Sequence, residues 1–225
     1  MTTDERAYLD PYLRAAEQFG PGFEALLWQS PKAQIRRFKT IAHMAVVKDR
    51  VVADIGCGNA DLLLDLYKRD LAPKKYIGID AVPQMLEHAR EQARGNEIAE
   101  AEFLDHDFVR DEQLPAQLVD DDDVDAVVFS GSLNTLSETD ARRVLDRFWR
   151  ALARKPGTSL VFNFLSGRHN RERTPATPPA VRYDPLQMLH WAIDRTPLVT
   201  FRHDYLGGHD ATICMRVPTS NDVEA

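Results

Sequence analysis

Three aspartates, Asp54, Asp80 and Asp107, each close a short run of mostly apolar residues: VVADI, KYIGID and AEFLDHD. The first is followed by Gly56 and Gly58, and then by the helix-like stretch DLLLDL. A strand, a glycine turn and a helix N-terminus present backbone N–H groups to a nucleotide-like ligand. Glycine takes positive φ easily and, having no Cβ, lets a ligand lie on the backbone. A carboxylate has two acceptor oxygens, so Asp80 suits both hydroxyls of a ribose and Asp107 suits an exocyclic amine such as that of adenine. Ser130 and Gly131 close a fourth apolar run, DAVVFSG. Taken together, these four ends fit an adenosine-bearing ligand.

The elements that must hold them alternate along the chain. Strands are expected at 51–55, 75–80, 101–107, 125–131 and 158–165. Helices are expected after the first glycine turn, over 82–94 with Pro83 in its first turn, and over 139–154, where Val144, Leu145, Phe148 and Leu152 recur at helical spacing. Any of Ser137, Glu138, Thr139 and Asp140 can cap that last helix. Repeated strand–helix–strand units imply a parallel sheet with helices on both faces, and such sheets bind ligands at the carboxyl ends of their strands. A further helix over 185–193 precedes two strands, LVTFRHDY and DATICMRV, joined at Gly207-Gly208 as a hairpin. The first 50 residues read as a helical cap holding Trp28, Arg36, Arg37 and Phe38. Residues 166–184, rich in Pro and Arg, read as a lid or binding loop, and 218–225 as a loose tail.

A length of 225 residues fits one α/β domain with additions, and 44% hydrophobic content excludes a disordered chain. A net charge of −7 argues against nucleic acid as an obligate partner. No apolar run reaches membrane-span length, and MTTDERAYLD has no signal-peptide core, so a cytoplasmic location is expected. Cys57 and Cys214 are the only two cysteines, so no disulfide framework or Cys-rich metal site is indicated and no metal is expected.

The segments DIGCGNAD (54–61), YIGIDAVPQMLEHAR (76–90), DHDF (105–108) and DAVVFSGSLNTL (125–136) resemble the class I S-adenosylmethionine-dependent methyltransferases. The resemblance covers roughly residues 35–217. It implies a Rossmann-like, doubly wound, seven-stranded sheet with one antiparallel terminal strand, and S-adenosyl-L-methionine as cofactor. On this resemblance Gly56 and Gly58 approach the methionine part, Asp80 holds the ribose and Asp107 the adenine amine. Phe108 flanks the adenine ring, and Ser130 and Gly131 line the floor near the sulfonium. Asp54, Ala81 and Met85 complete the set, with Arg37 as an N-terminal arginine for the methionine carboxylate. A nicotinamide-dependent dehydrogenase is the competing reading of the glycine turn, but Asp61 stands where its fingerprint has a third glycine.

Beside these readings stand plainer ones. Asp54 can serve only to hydrogen-bond the glycine loop, Cys57 to pack, Met85 to fill the core, and Asp120–Asp123 to form a solvated loop. His203, Tyr205 and His190 are the candidate catalytic groups. Tyr183, Asp184, His190 and Trp191 flank the loop as substrate contacts, and Trp28 and the other aromatics near the N-terminus line either a pocket or a dimer seam. The expected activity is methyl transfer to a small molecule by a monomer or homodimer. The alternatives are a methyltransferase acting on RNA or protein, and a non-catalytic binder of S-adenosylmethionine or S-adenosylhomocysteine.

Overall fold

The computed structural model describes residues 6–169 and 178–223. Seven strands form one sheet: β1 (Val51–Ile55), β2 (Lys75–Asp80), β3 (Ala101–Asp105), β4 (Ala126–Phe129), β5 (Ser159–Leu165), β6 (Val199–Arg202) and β7 (Asp210–Arg216). Their order is β3-β2-β1-β4-β5-β7-β6. The first five run parallel, and β7 enters antiparallel between β5 and β6. Every residue of β1, β4 and β5 is buried, as a strand covered on both faces requires.

The helices are α1 (Asp10–Phe19), α2 (Pro31–Met44), α3 (Asp61–Lys68), α4 (Pro83–Gly95), α5 (Leu114–Asp120), α6 (Glu138–Leu152), α7 (Pro185–Ile193) and the single turn α8 (Ser220–Val223). Sequence signals fix several starts. Ser30 caps α2 ahead of Pro31, Ser137 caps α6 by accepting from Asp140 N, and Asp184 caps α7 ahead of Pro185. Phe38, Ile41, Leu62 and Leu66 of α2 and α3 pack on Val52, Val128 and Val161. Leu118, Leu145, Phe148 and Met188 of α5, α6 and α7 pack with Ala53, Val127, Phe129 and Phe162 on the opposite face.

The strands match the alternation of the sequence closely. Strands 3 and 4 are shorter than expected, because Asp107 and Ser130 already lie in the turns beyond them. Helix α5, which no periodicity announces in the sequence, makes the crossover from β3 to β4. The acidic run after it is tied down: Asp120 pairs with Arg154, Asp122 with Lys75, and Asp123 with Lys155. The tail expected to be loose holds one turn, where Asp222 accepts from Thr219 and pairs with Arg216. Residues 170–177 of the expected lid lie outside the described residues. Among the described residues no helix is long and apolar enough to cross a membrane.

Candidate active site

The carboxyl ends of β1, β2, β3 and β4 surround one cleft. Gly56, Gly58, Asp80, Ala81, Met85, Asp107, Phe108, Ser130 and Gly131 all line it. The N-terminal segment roofs it with Tyr8, Tyr12, Leu26 and Trp28. The aromatics near the N-terminus are offered by the sequence for a pocket or a dimer seam, and Tyr8, Tyr12 and Trp28 line this pocket; Leu26 is the roof residue that the sequence does not single out.

The glycine turn is held by its neighbour strand. Gly56 N and Cys57 N donate to Ile79 O, and Gly58 N donates to Asp80 Oδ2 at 2.9 Å. Asp80 Oδ1 accepts from Val82 N at 3.0 Å, so one carboxylate ties the turn to the start of α4. Burial raises the Asp80 pKa, against the pull of these N–H groups. Gly56 has φ +73°, and a Cβ there would lie 2.3 Å from Cβ of Ser132. The glycine is thus required by the close approach of the β1 and β4 turns as well as by its conformation.

The other walls are positioned from behind. Gly131 N donates to Asn163 Oδ1 of β5 at 2.7 Å, which sets the floor. Arg147 of α6 donates to the carbonyls of Phe108 and Val109 and holds the turn after β3. Phe108 packs edge-on against Phe129. Asp107 accepts from the Tyr8 hydroxyl at 2.7–2.8 Å, which joins the roof to the wall, and burial together with that carboxylate raises the tyrosine pKa.

Asp54 and Arg37 lie elsewhere. Asp54 sits beneath the cleft, in a small adjoining pocket with Gln34, Cys57 and Asp61. It accepts from Tyr76 Oη at 2.5 Å and makes no bond to the glycine turn, which Ile79 and Asp80 hold instead. Burial pushes its pKa up to about 7. Cys57 is buried, and burial raises its pKa as well, consistent with packing. Arg37 is expected at the cleft but is buried in an ion pair with Asp210, with its guanidinium 4.5 Å from the Trp28 ring centre. The pairing acid lies 173 positions away in the chain, beyond the reach of local pattern.

A second cavity of about 430 Å³ adjoins the first and shares Tyr12, Leu26, Trp28, Gly131 and Thr135 with it. Its outer wall carries Arg37, Asn134, Pro178, Pro179, Arg182 and His209. The candidate catalytic residues are not in either cavity. His203 Nε2 contacts Ser166 Oγ and Gly208 O, Tyr205 is buried on Thr212, and His190 is exposed beside Asp194. Tyr183 is buried with its hydroxyl donating to Leu133 O and Leu136 O, Asp184 pairs with Arg168, and Trp191 donates to Asp146. The histidine on the cavity wall is His209.

Residues 52–155 match the family described as "Methyltransferase domain". No curated protein matches the sequence. Solved structures share its fold. A Bordetella parapertussis protein described as a possible exported protein is 20% identical with a TM-score of 0.63, over 87% of this chain and 73% of its own. A SAM-dependent methyltransferase from Aquifex aeolicus is 18% identical with a TM-score of 0.58, over 84% of this chain and 94% of its own. For an O-methyltransferase family protein from Burkholderia thailandensis the identity is 16%, the TM-score 0.61 and the coverage 84% of this chain but 56% of that one.

Proposed function

We propose that this chain, whose residues 52–155 match a methyltransferase-domain family, is a class I methyltransferase that binds S-adenosylmethionine in the first cleft and methylates a small molecule bound in the second cavity. The observation that carries this reading is the convergence of Gly56, Gly58, Asp80, Asp107, Phe108 and Gly131 on one cleft. The cleft's chemistry fits the cofactor. Asp80 and Asp107 supply carboxylates for hydroxyl and amine donors. The hydroxyls of Ser130 and Ser132, buried with no hydrogen-bond partner among the described residues, supply polar groups near the floor.

When bound, S-adenosylmethionine supplies a methyl group already activated by its sulfonium, so the protein's task is orientation and exclusion of water. Asp80 fixes the ribose while tying the glycine turn. Asp107 and Phe108 fix the adenine edge and face. Tyr12, Trp28 and Thr135, which border both cavities, frame the passage between them. The shared border and the size of the second cavity support a small-molecule acceptor.

Calorimetric titration with S-adenosylmethionine, S-adenosylhomocysteine and, separately, NAD tests the reading. Micromolar binding of the first two and none of NAD is expected. NAD binding, or no binding of either sulfur ligand, overturns it.

A further inference from the structure

Asp107 is engaged by the chain's own N-terminal segment. The Tyr8 hydroxyl lies 2.8 Å from Oδ1 and 2.7 Å from Oδ2, so it sits across the open end of the carboxylate. The flanks are engaged too: Val109 N donates to Oδ1 at 3.2 Å, and Arg6 Nε stands 3.6 Å from Oδ2. A carboxylate only accepts, through two oxygens with about four lone-pair sites. A ligand amine that is to donate to Asp107 therefore has to take the place of the tyrosine hydroxyl.

The volume of the cleft points the same way. With the roof seated on it, the cleft encloses about 70 Å³, against about 430 Å³ for the second cavity. A pocket for an organic ligand runs to roughly 300 Å³ or more. The roof must move before an adenosine-bearing ligand can enter.

The roof divides into a pinned part and a movable part. Behind Gly20, Pro21 O accepts from Asn59 Nδ2 at 2.6 Å, and Leu26 lies so close to the glycine turn that a Cβ on Gly58 would stand 2.6 Å from it. Ahead of Gly20, residues 6–19 are held more lightly. Leu9, Ala15 and Ala16 are buried there against Ala25, Val82 and Met85, and alanines bury little apolar area. Gly20 itself has φ +67° and open space around it, which suits a hinge between the two parts. The bond from Tyr8 to Asp107 thus fastens the free end of a strap that is hinged at its other end.

We propose that residues 6–19 form a strap over the cofactor cleft and that Tyr8 is its latch, competing with the cofactor's exocyclic amine for Asp107. This rests on the reading of the first cleft as the cofactor site. Binding then proceeds through the unlatched fraction of the protein, and the apparent affinity is reduced by that fraction. Once the amine holds Asp107, the tyrosine has lost its partner and does not hasten release.

The test is Tyr8→Phe, which keeps the ring and removes the latch hydroxyl. Stopped-flow tryptophan fluorescence with S-adenosylhomocysteine reads both rate constants, and hydrogen exchange without ligand reads the strap. One hydrogen bond to a charged group is worth about tenfold or more in an equilibrium. Tyr8→Phe should therefore bind about tenfold more tightly than wild type, with the gain in the association rate and the dissociation rate unchanged. The amides of α1 should exchange about tenfold faster while those of β1, β4 and β5 keep their protection. Equal or weaker binding by Tyr8→Phe, a gain confined to the dissociation rate, or unchanged exchange in α1 would each overturn the latch. Failure of both proteins to bind S-adenosylhomocysteine would instead remove the cofactor reading beneath it, and the exchange of α1 would still report whether Tyr8 holds the strap.

Discussion

Replacing Asp80 with Asn separates the two jobs that the structure gives this carboxylate. Asp80 Oδ2 accepts from Gly58 N at 2.9 Å and Oδ1 accepts from Val82 N at 3.0 Å. In Asp80→Asn one of those N–H groups faces an NH2 and loses its acceptor, which costs about 1–3 kcal/mol of stability. For a domain of this size that lowers the melting temperature by roughly 2–10 °C, so the variant stays folded at 25 °C. Ligand binding loses more. Two ribose hydroxyls that donate to a carboxylate would meet a neutral amide with one acceptor, and hydrogen bonds to charged groups are worth about 1.5–3 kcal/mol each. The affinity for S-adenosylhomocysteine should fall by about 100-fold, since about 1.4 kcal/mol is a factor of ten. Affinity is read by calorimetry and stability by thermal unfolding followed by circular dichroism. In the wild type the same carboxyl, raised by burial, should make affinity fall as the pH is lowered, because the protonated acid stops accepting from both hydroxyls. A variant that melts lower but binds within threefold of wild type would refute the placement of the ribose at Asp80 while leaving the hydrogen bonds to Gly58 and Val82 intact as structure.

Four further variants carry expected outcomes. Gly207 has φ +63° with nothing within 4 Å of a built Cβ, so Gly207→Ala should cost about 1–2 kcal/mol in chemical denaturation. Gly56→Ala adds overlap with Ser132 and should cost about 2–5 kcal/mol, with loss of ligand binding; equal costs at the two positions would contradict the close approach of the turns. Arg37→Met leaves Asp210 buried without its ion-pair partner and should destabilise by about 3–5 kcal/mol even without ligand. An unchanged melting curve together with weaker S-adenosylhomocysteine binding would instead return Arg37 to the cofactor. Asp54 has its pKa raised by burial from 3.8 to about 7, so the native chain keeps a proton that the unfolded chain releases. That contribution is fully present below about pH 4 and lost as pH rises through about 7, on the order of 4 kcal/mol in all. Asp54→Asn should remove the loss, so its stability relative to wild type should increase between pH 5 and pH 8; a difference that stays flat across that range would place the raised pKa elsewhere.

Much of this protein is written in short-range pattern. VVADI, KYIGID and TSLVFNFL are apolar runs of strand length, and a parallel sheet buries them on both faces, so their boundaries could be read to within a residue or two. Pro31, Pro83 and Pro185 each mark a helix start, because a first-turn residue gives up no intrahelical bond. Glycines and acids at strand ends are local signals of the same kind, and the cleft they were expected to form is lined by them. Helix α5 escaped because its seven residues are too few to display a period.

What the sequence could not determine is which residues far apart in the chain meet. Arg37 looks like a ligand arginine until Asp210, 173 positions later, is seen beside it. Tyr8 is only one of several aromatics near the N-terminus until the fold lays it on Asp107. His203 and His209 are equally polar histidines near the hairpin. Only the insertion of β7 between β5 and β6 turns His209 to a cavity and seats His203 on Ser166. Periodicity and turn chemistry act over a few residues and are written in local order, so the sequence by itself determined the sheet and the turns that line the first cleft. Ion pairs, roofs and cavity walls depend on three-dimensional proximity between distant segments, and these the tertiary structure alone decided.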